Sequence, residues 1–425
     1  MSGADGADSA ATTRRPLPPT GRAWADLEAE LIERKRGDAD WRGGRTGAYV
    51  FWANDDVLEV AKRASELYFS ENGLAPKAFP SLARMEAEVL GHAADLLQGD
   101  HAVGNMTSGG TESIMVAVKT ARDAMMAELG VTQPEMVLPY SAHPAFNKAA
   151  HYLGIRAIRT PLTDDFGADV DALTAAIGER TVLVVGSAPQ YPHGVVDPIP
   201  AMASAASERG VPFHVDACVG GFCLPFLRRH GVDVPPFDFD VPGVTSMSAD
   251  LHKFGFTAKG ASVVLYRDAD LHRHQGFSFT DWPIGQYASP TVTGTRPAGP
   301  IAAAWAVMNT FGVEGYVELH ARILRIRDEL FAGIEAIEGL QVWGKPIMGC
   351  FGYGSLDLDM AAIAEGMGER GWFVNRQADP PGIHMFVTPA HAAALDRYVS
   401  DLATVAGEVR SGARRAQGTS EVRYG

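Results

Sequence analysis

Thr181-Val182-Leu183-Val184-Val185 and Val211-Pro212-Phe213-His214-Val215, separated by the Ala-rich stretch from Ala201 to Arg209, read as strand, helix and strand. A run of β-branched residues without polar alternation belongs to a strand buried on both faces. Glu135 to Leu138 and Arg156 to Ile158 repeat the pattern upstream, with a second helical segment from Val170 to Ile177. Gly260 to Tyr266 repeats it downstream. Short apolar strands alternating with helices imply an α/β fold on a mainly parallel sheet, covered on both faces.

Outward from this centre, a helical pattern begins at Phe79, where Ser81 can cap and Leu82, Met85, Val89 and Leu96 recur at helical spacing. Beyond Pro300, helical segments Ile301 to Phe311 and Leu324 to Ile337 lead into short strands near Leu340 to Val342 and Gly382 to Val387, read as a smaller C-terminal α/β domain. Residues 1–21 are small, polar and Pro-containing, the composition of a tail that stays disordered. The expected division is therefore a tail over 1–21, an N-terminal segment over 22–78, a large domain over 79–300, a small domain over 301–411 and a loose tail over 412–425.

A chain of 425 residues, 46% of them hydrophobic, can bury a large core and a second smaller one. Its formal net charge of −14 repels nucleic acid and anionic membranes, so any anionic ligand must be captured by local groups. Three cysteines, Cys218, Cys223 and Cys350, make neither a disulfide framework nor a metal-ligand pattern. No metal is expected, and a reducing cytoplasm fits. No stretch reaches the roughly 18 to 20 apolar residues of a membrane span, and the N-terminus lacks the basic-then-apolar pattern of a signal.

Four features carry chemistry. Met106-Thr107-Ser108-Gly109-Gly110-Thr111-Glu112-Ser113 lies between a strand end and a helix from Ser113 to Met125, where glycines let backbone N–H groups approach a phosphate. It has neither the lysine of a P-loop nor a G-x-G-x-x-G spacing. Ser246-Met247-Ser248-Ala249-Asp250-Leu251-His252-Lys253 sets a lysine among small and apolar residues, where desolvation would lower its pKa and favour a nucleophilic amine. His214-Val215-Asp216 places an acid at the carboxyl end of a parallel strand, and Ser141-Ala142-His143 places an imidazole after another.

Each feature alone has a plain structural reading: a Gly-Gly turn, a surface lysine, a helix-capping aspartate, a hydrogen-bonded histidine at a helix start. Together they form a phosphate cup, a nucleophile, a charge partner and a stacking group at the strand ends of one sheet. That set suits pyridoxal 5′-phosphate, with Lys253 holding it as a Schiff base and Asp216 keeping the ring nitrogen protonated so that the ring accepts a carbanion's charge.

These residues resemble the sphingosine-1-phosphate lyase family, in the group II decarboxylase branch of fold-type I pyridoxal phosphate enzymes. The likeness is carried by Thr107 to Ser113, Ser141-Ala142-His143, Pro189 to Val195, His214 to Phe222, Ser248 to Lys253 and Tyr287 to Thr291, with a more diffuse similarity to about Thr388. The resemblance implies a homodimer with shared active sites, to which residues 22–78 contribute. It also implies His143 stacked on the ring and the cofactor phosphate held by Gly109, Gly110, Thr111 and His252, with Thr295 reaching in from the partner. Tyr49, Asn72, His193, Lys259 and, across the interface, Tyr287 would face the substrate.

Two departures stand out. The family's Asn-Pro-Leu-His is Asn72-Gly73-Leu74-Ala75, which removes a histidine from the substrate phosphate. Its Ser-Gly-Ala-Val-Tyr is Thr46-Gly47-Ala48-Tyr49-Val50, which shifts the tyrosine by one position and turns it to the other face of an extended segment. The expected reaction is retro-aldol cleavage of a 2-amino-3-hydroxy compound to an aldehyde and an amine such as ethanolamine phosphate. The alternative is a decarboxylase or aldolase on the same scaffold, with Lys259 or Arg296 anchoring a carboxylate. A non-catalytic phosphate-binding protein would explain the Gly-Gly turn but not Lys253 and Asp216 together.

Overall fold

The computed structural model describes residues 14–417 and Val422; the rest of both expected tails lies outside the described residues. Among the described residues, 14–40 form a unit of their own, with one α-helix, Trp24–Arg34, that buries no residue. The second unit starts at Trp41 and holds both main sheets.

Seven strands form the first sheet: β1 (Val103–Thr107), β2 (Glu135–Pro139), β3 (Arg156–Thr160), β4 (Thr181–Ser187), β5 (Phe213–Asp216), β6 (Val244–Ala249) and β7 (Ser262–Tyr266). Their spatial order is β1-β7-β6-β5-β4-β2-β3. Only β7 runs against the others, pairing antiparallel with both β1 and β6. The sheet is thus mainly parallel, and its apolar strands are covered on both faces: β2, β4, β5 and the antiparallel β7 are buried at every residue.

Several boundaries differ from expectation for local reasons. β5 begins at Phe213 rather than Val211, because Pro212 has no N–H for the ladder; its carbonyl still accepts from the Val184 amide at 3.0 Å. The first large helix is Pro80–Leu96 with Pro80 in its first turn, so Ser81 lies inside it and caps nothing. The helix after the Gly-Gly turn is Gly110–Leu129 and takes in Gly110 itself. The two segments expected after Pro300 are one long element, Ala298–Glu335, broken at Gly312 (φ 56°).

A hairpin of β8 (Phe277–Phe279) and β9 (Tyr287–Ser289) leaves the first sheet. The second main sheet has four antiparallel strands, β10 (Gln341–Val342), β11 (Cys350–Gly354), β12 (Asn375–Gln377) and β13 (Gly382–Phe386), ordered β10-β11-β13-β12. One face of it turns to the loop after β4: Tyr191 stacks on His384 with ring centroids 4.0 Å apart. One apolar core runs through both sheets, and Cys218, Cys223 and Cys350 are buried in it as free thiols.

The turns after β4 and β5 touch closely. A Cβ on Gly220 would stand 2.2 Å from the Ala188 carbonyl oxygen and 2.8 Å from Pro189 Cδ. Gly220→Ala should therefore cost roughly 1–3 kcal/mol through overpacking, seen as a Tm several degrees lower in thermal unfolding.

Candidate active site

All five parallel strands that carry chemistry-bearing turns end on one edge of the sheet, where open α/β folds build their sites. Ser108 to Thr111 follow β1, His143 follows β2, Tyr191 follows β4, Asp216 closes β5, and Asp250 to Lys253 follow β6. They enclose a cavity of about 310 Å³.

Asp216 is aligned by the pairing of β5 with β6. The register sets His214 opposite Ser246 and Asp216 opposite Ser248, on one face because both strands have a period of two. His214 Nδ1 lies 2.9 Å from Ser246 Oγ and Nε2 3.2 Å from Ser248 Oγ. Asp216 Oδ1 accepts from Ser248 Oγ at 3.4 Å and from the Cys218 amide at 3.1 Å. Burial pushes His214 down to about 4, so this line of hydrogen bonds adds no positive charge beside the carboxylate.

His143 is set by a half-buried cation on β3. The Arg159 guanidinium donates to the carbonyls of Pro139 (3.2 Å), Tyr140 (2.5 Å) and Ala142 (2.9 Å), which fixes the turn between β2 and the next helix. His143 Nδ1 then accepts from the Ala145 amide at 3.1 Å, leaving the proton on Nε2. Burial lowers its pKa against the pull of Asp216, so it presents a neutral ring to the cavity.

The Gly-Gly turn makes the cup. Gly109 has φ +156°, a conformation side chains rarely adopt, and a Cβ on Gly110 would stand 2.8 Å from both Asp250 Oδ2 and Cys218 Sγ. Gly110 and Thr111 open the helix Gly110–Leu129 and line the cavity, where the N–H groups of a helix start suit an anion; the next two amides, Glu112 and Ser113, donate to the Gly109 carbonyl. Ser108 is engaged elsewhere: its N–H and hydroxyl both donate to Glu112 Oε2, at 2.7 and 2.6 Å. Glu112 Oε1 accepts from the amides of Val292 (3.0 Å) and Thr293 (3.2 Å), tying the hairpin's exit to the cup.

Lys253 lies at the floor, with Nζ 3.0 Å from Asp250 Oδ2. Its pKa moves opposite to the expected direction. Burial does act to lower it, but Asp250 and Asp216 outweigh that effect and the lysine is held above its usual range as an ammonium. His252 Nδ1 accepts from the Ala261 amide at 3.2 Å, which leaves Nε2–H toward Asp250 at 3.7 Å; burial brings this ring down to about 4.

Gly109, Gly110, Thr111, His143, Asp216, His252 and Lys253 therefore meet at one cavity, and the other expected residues lie outside its lining. Lys259 donates to the His252 carbonyl at 3.1 Å and sits 4.9 Å from the centre of the Phe51 ring. Tyr49 adopts φ 65°, so the segment is not extended there and does not turn the tyrosine to an opposite face as expected; its hydroxyl donates to Asn375 Oδ1 at 3.0 Å. His193 pairs with Gln190 Oε1 at 3.0 Å and stacks on Phe166. Asn72 is joined by an isolated antiparallel bridge to Pro297, two residues after Thr295. The Gly73 N–H strengthens that link with a 2.8 Å bond to the Arg296 carbonyl. Arg296 itself is committed to both oxygens of Glu86, so it does not offer a free carboxylate anchor. Tyr287 lies on the hairpin, its hydroxyl 3.4 Å from where a Cβ on Gly294 would stand.

The residues present fit a pyridoxal phosphate group. The cup has no room for a Cβ at Gly110, and an amine, an acid and a flat ring face the same space. Glu86, Glu112, Arg159, His214 and Asp250 were not singled out from sequence. His214 and Ser246/Ser248 carried a legible signal, the matched alternation of two neighbouring strands; Glu112 and Glu86 act on partners some two hundred residues away. Glu112→Ala should release the hairpin exit, with Val292 and Thr293 amides exchanging about tenfold faster in hydrogen exchange, the loss of roughly 1.4 kcal/mol.

Residues 67–353 match the pyridoxal-dependent decarboxylase conserved domain. The chain is 42% identical to a sphingosine-1-phosphate lyase of Arabidopsis thaliana, over 88% of this chain and 71% of that one. It is 40% identical to the Oryza sativa enzyme of that name, over 93% and 75%. A solved Burkholderia pseudomallei sphingosine-1-phosphate lyase superposes with a TM-score of 0.90 at 37% identity, covering 94% of each chain. A Lactobacillus brevis glutamate decarboxylase, at 18% identity and TM-score 0.81, shares the fold. With the phosphate cup, lysine and aspartate all in place, the chain belongs to the pyridoxal-dependent decarboxylase family and, within it, to the sphingosine-1-phosphate lyases.

Proposed function

We propose that this chain cleaves sphingosine 1-phosphate or a close analogue between the carbons bearing the amine and the hydroxyl, giving a long-chain aldehyde and ethanolamine phosphate. One observation carries this reading: Lys253, Asp216, His143 and the Gly109–Thr111 cup converge on one cavity in a chain 42% identical to a lyase of that name.

When bound, pyridoxal phosphate supplies an electron sink for the charge left on the amine-bearing carbon. Asp216 keeps the ring nitrogen protonated, and the bonds from Ser248 and the Cys218 amide hold one carboxylate oxygen in place for that task. His143, neutral and edge-on to Tyr191 at 6.0 Å between ring centroids, supplies the flat face. Lys253 anchors the cofactor and later returns a proton to the substrate carbon. The anionic headgroup falls to Lys259, with Asn72, Tyr49, Tyr287 and His193 as further substrate contacts and Thr295 completing the cofactor's phosphate site. Arg296 is spent on Glu86, which leaves Lys259 as the anchor a decarboxylase or aldolase of an amino acid would have to use.

The working form is a homodimer. Phe277, Phe279, Trp282, Ile284 and Val292 cluster in and beside the hairpin with 41–81% of their surface exposed, an apolar patch that a second copy would cover. Among the described residues no helix is long and apolar enough to cross a membrane. Three free buried thiols agree with a reducing compartment, the cytoplasm.

Incubating cofactor-loaded protein with sphingosine 1-phosphate should yield both products by mass spectrometry. No cleavage by protein that still binds the cofactor at Lys253 moves the assignment to another amino compound. Lys253→Ala should abolish borohydride-trapped cofactor, and its persistence on another lysine would remove Lys253 from the role. Asp216→Asn should lower kcat by about 10² or more while the trapped linkage still forms. Burial, and then repulsion from Lys253, lower Lys259 to about 8, so it is cationic below that pH and neutral above it. KM for a phosphorylated substrate should rise as pH climbs through about 8, and Lys259→Met should flatten that rise.

A further inference from the structure

Lys253 and Asp250 face each other across one tight turn, closed by a backbone bond from the Lys253 amide to the Asp250 carbonyl at 3.3 Å. The carboxylate is 1% exposed, and its Oδ1 has no partner. A buried anion with a spare oxygen is costly unless a cation sits beside it. The cation is Lys253, at 3.0 Å.

The remaining charges around Lys253 do not substitute for this pair. Asp216 and Cys218 face it from the end of β5, and burial holds the thiol protonated. His143 faces it from the turn after β2, and Cys350 and His384 from the second sheet; burial keeps all three uncharged. From its own loop come His252, also neutral, and Lys259, which repels it. Asp250 is the nearer of the two carboxylates and the one in direct contact.

We propose that Asp250 is a positioning residue that keeps Lys253 an ammonium whenever that amine is covalently free, making Lys253 the proton donor that ends the cleavage. The inference rests on the pyridoxal phosphate reading above. Burial acts to lower the pKa of a displaced lysine, which works against its holding the proton that the substrate carbon needs. With Asp250 in place the N–H bond breaks as the carbanion's electron pair forms the new C–H bond. The amine left behind is neutral, the form needed to recapture the cofactor. The cost is that the cofactor-free protein holds its nucleophile protonated.

The test is the pH dependence of cofactor capture by cofactor-free protein, followed by borohydride trapping rather than turnover. Capture needs the free amine, so its rate should rise with pH, and Asp250→Asn should move the whole profile at least one pH unit lower, about tenfold faster capture at pH 7. Asp250→Glu, which keeps the carboxylate, should restore the wild-type profile, and Asp250→Ser serves if the Asn variant does not fold. Coincident profiles for wild type and both neutral variants, or a shift to higher pH, overturn the role of Asp250. Wild-type protein that captures no cofactor at any pH overturns the cofactor reading itself, and the inference with it.

Discussion

The parallel pairing of β5 with β6 is the constraint on which the site depends. Its register sets His214 and Asp216 against Ser246 and Ser248, so the acid and the loop bearing Lys253 leave the sheet from neighbouring strands at the same edge. A slip of one residue would turn Asp216 to the opposite face of the sheet. Burial of every residue in β5, and of all but Thr245 in β6, specifies the pairing strongly, since any other register would expose apolar side chains or bury polar ones unpaired.

An acidic protein that handles a phosphate must gather its attraction locally. Here the cup offers helix-end amides and a neutral His252 rather than a cluster of cations, while two carboxylates, Asp216 and Asp250, stand in the same cavity. The lysine between them is the balancing charge. Glu112, also near the cup, directs both oxygens away from it, toward Ser108 and the amides of Val292 and Thr293. The negative groups are thus each answered by a specific donor, which is how they coexist with an anion site.

Much of this was readable from sequence. The apolar runs of β2 and β4 announced strands buried on both faces, and their alternation with helices pointed to a mainly parallel sheet; β7, equally apolar, is buried but antiparallel. The cavity residues from Gly109 to Lys253 were legible because each sits next to a strand end or glycine turn, which are local signals. What was hidden depends on distance along the chain. The Glu112 link to Val292, the Glu86 latch on Arg296 and the left-handed Tyr49 all follow from tertiary packing. The proton state of Lys253 was misjudged for the same reason: burial is suggested by neighbours in sequence, whereas the balance of burial against two carboxylates is a matter of three-dimensional distance.

The three free cysteines have a use beyond packing. Each is buried, and burial pushes each thiol well above the range in which it ionises in water. Alkylating reagents attack the thiolate, so the folded protein should be nearly inert to them. One of the three, Cys218, lines the cavity and the other two lie deeper in the core. Labelling of this chain is therefore a stopwatch for opening: Cys218 times the loosening of the site, and Cys223 and Cys350 time the opening of the core around it.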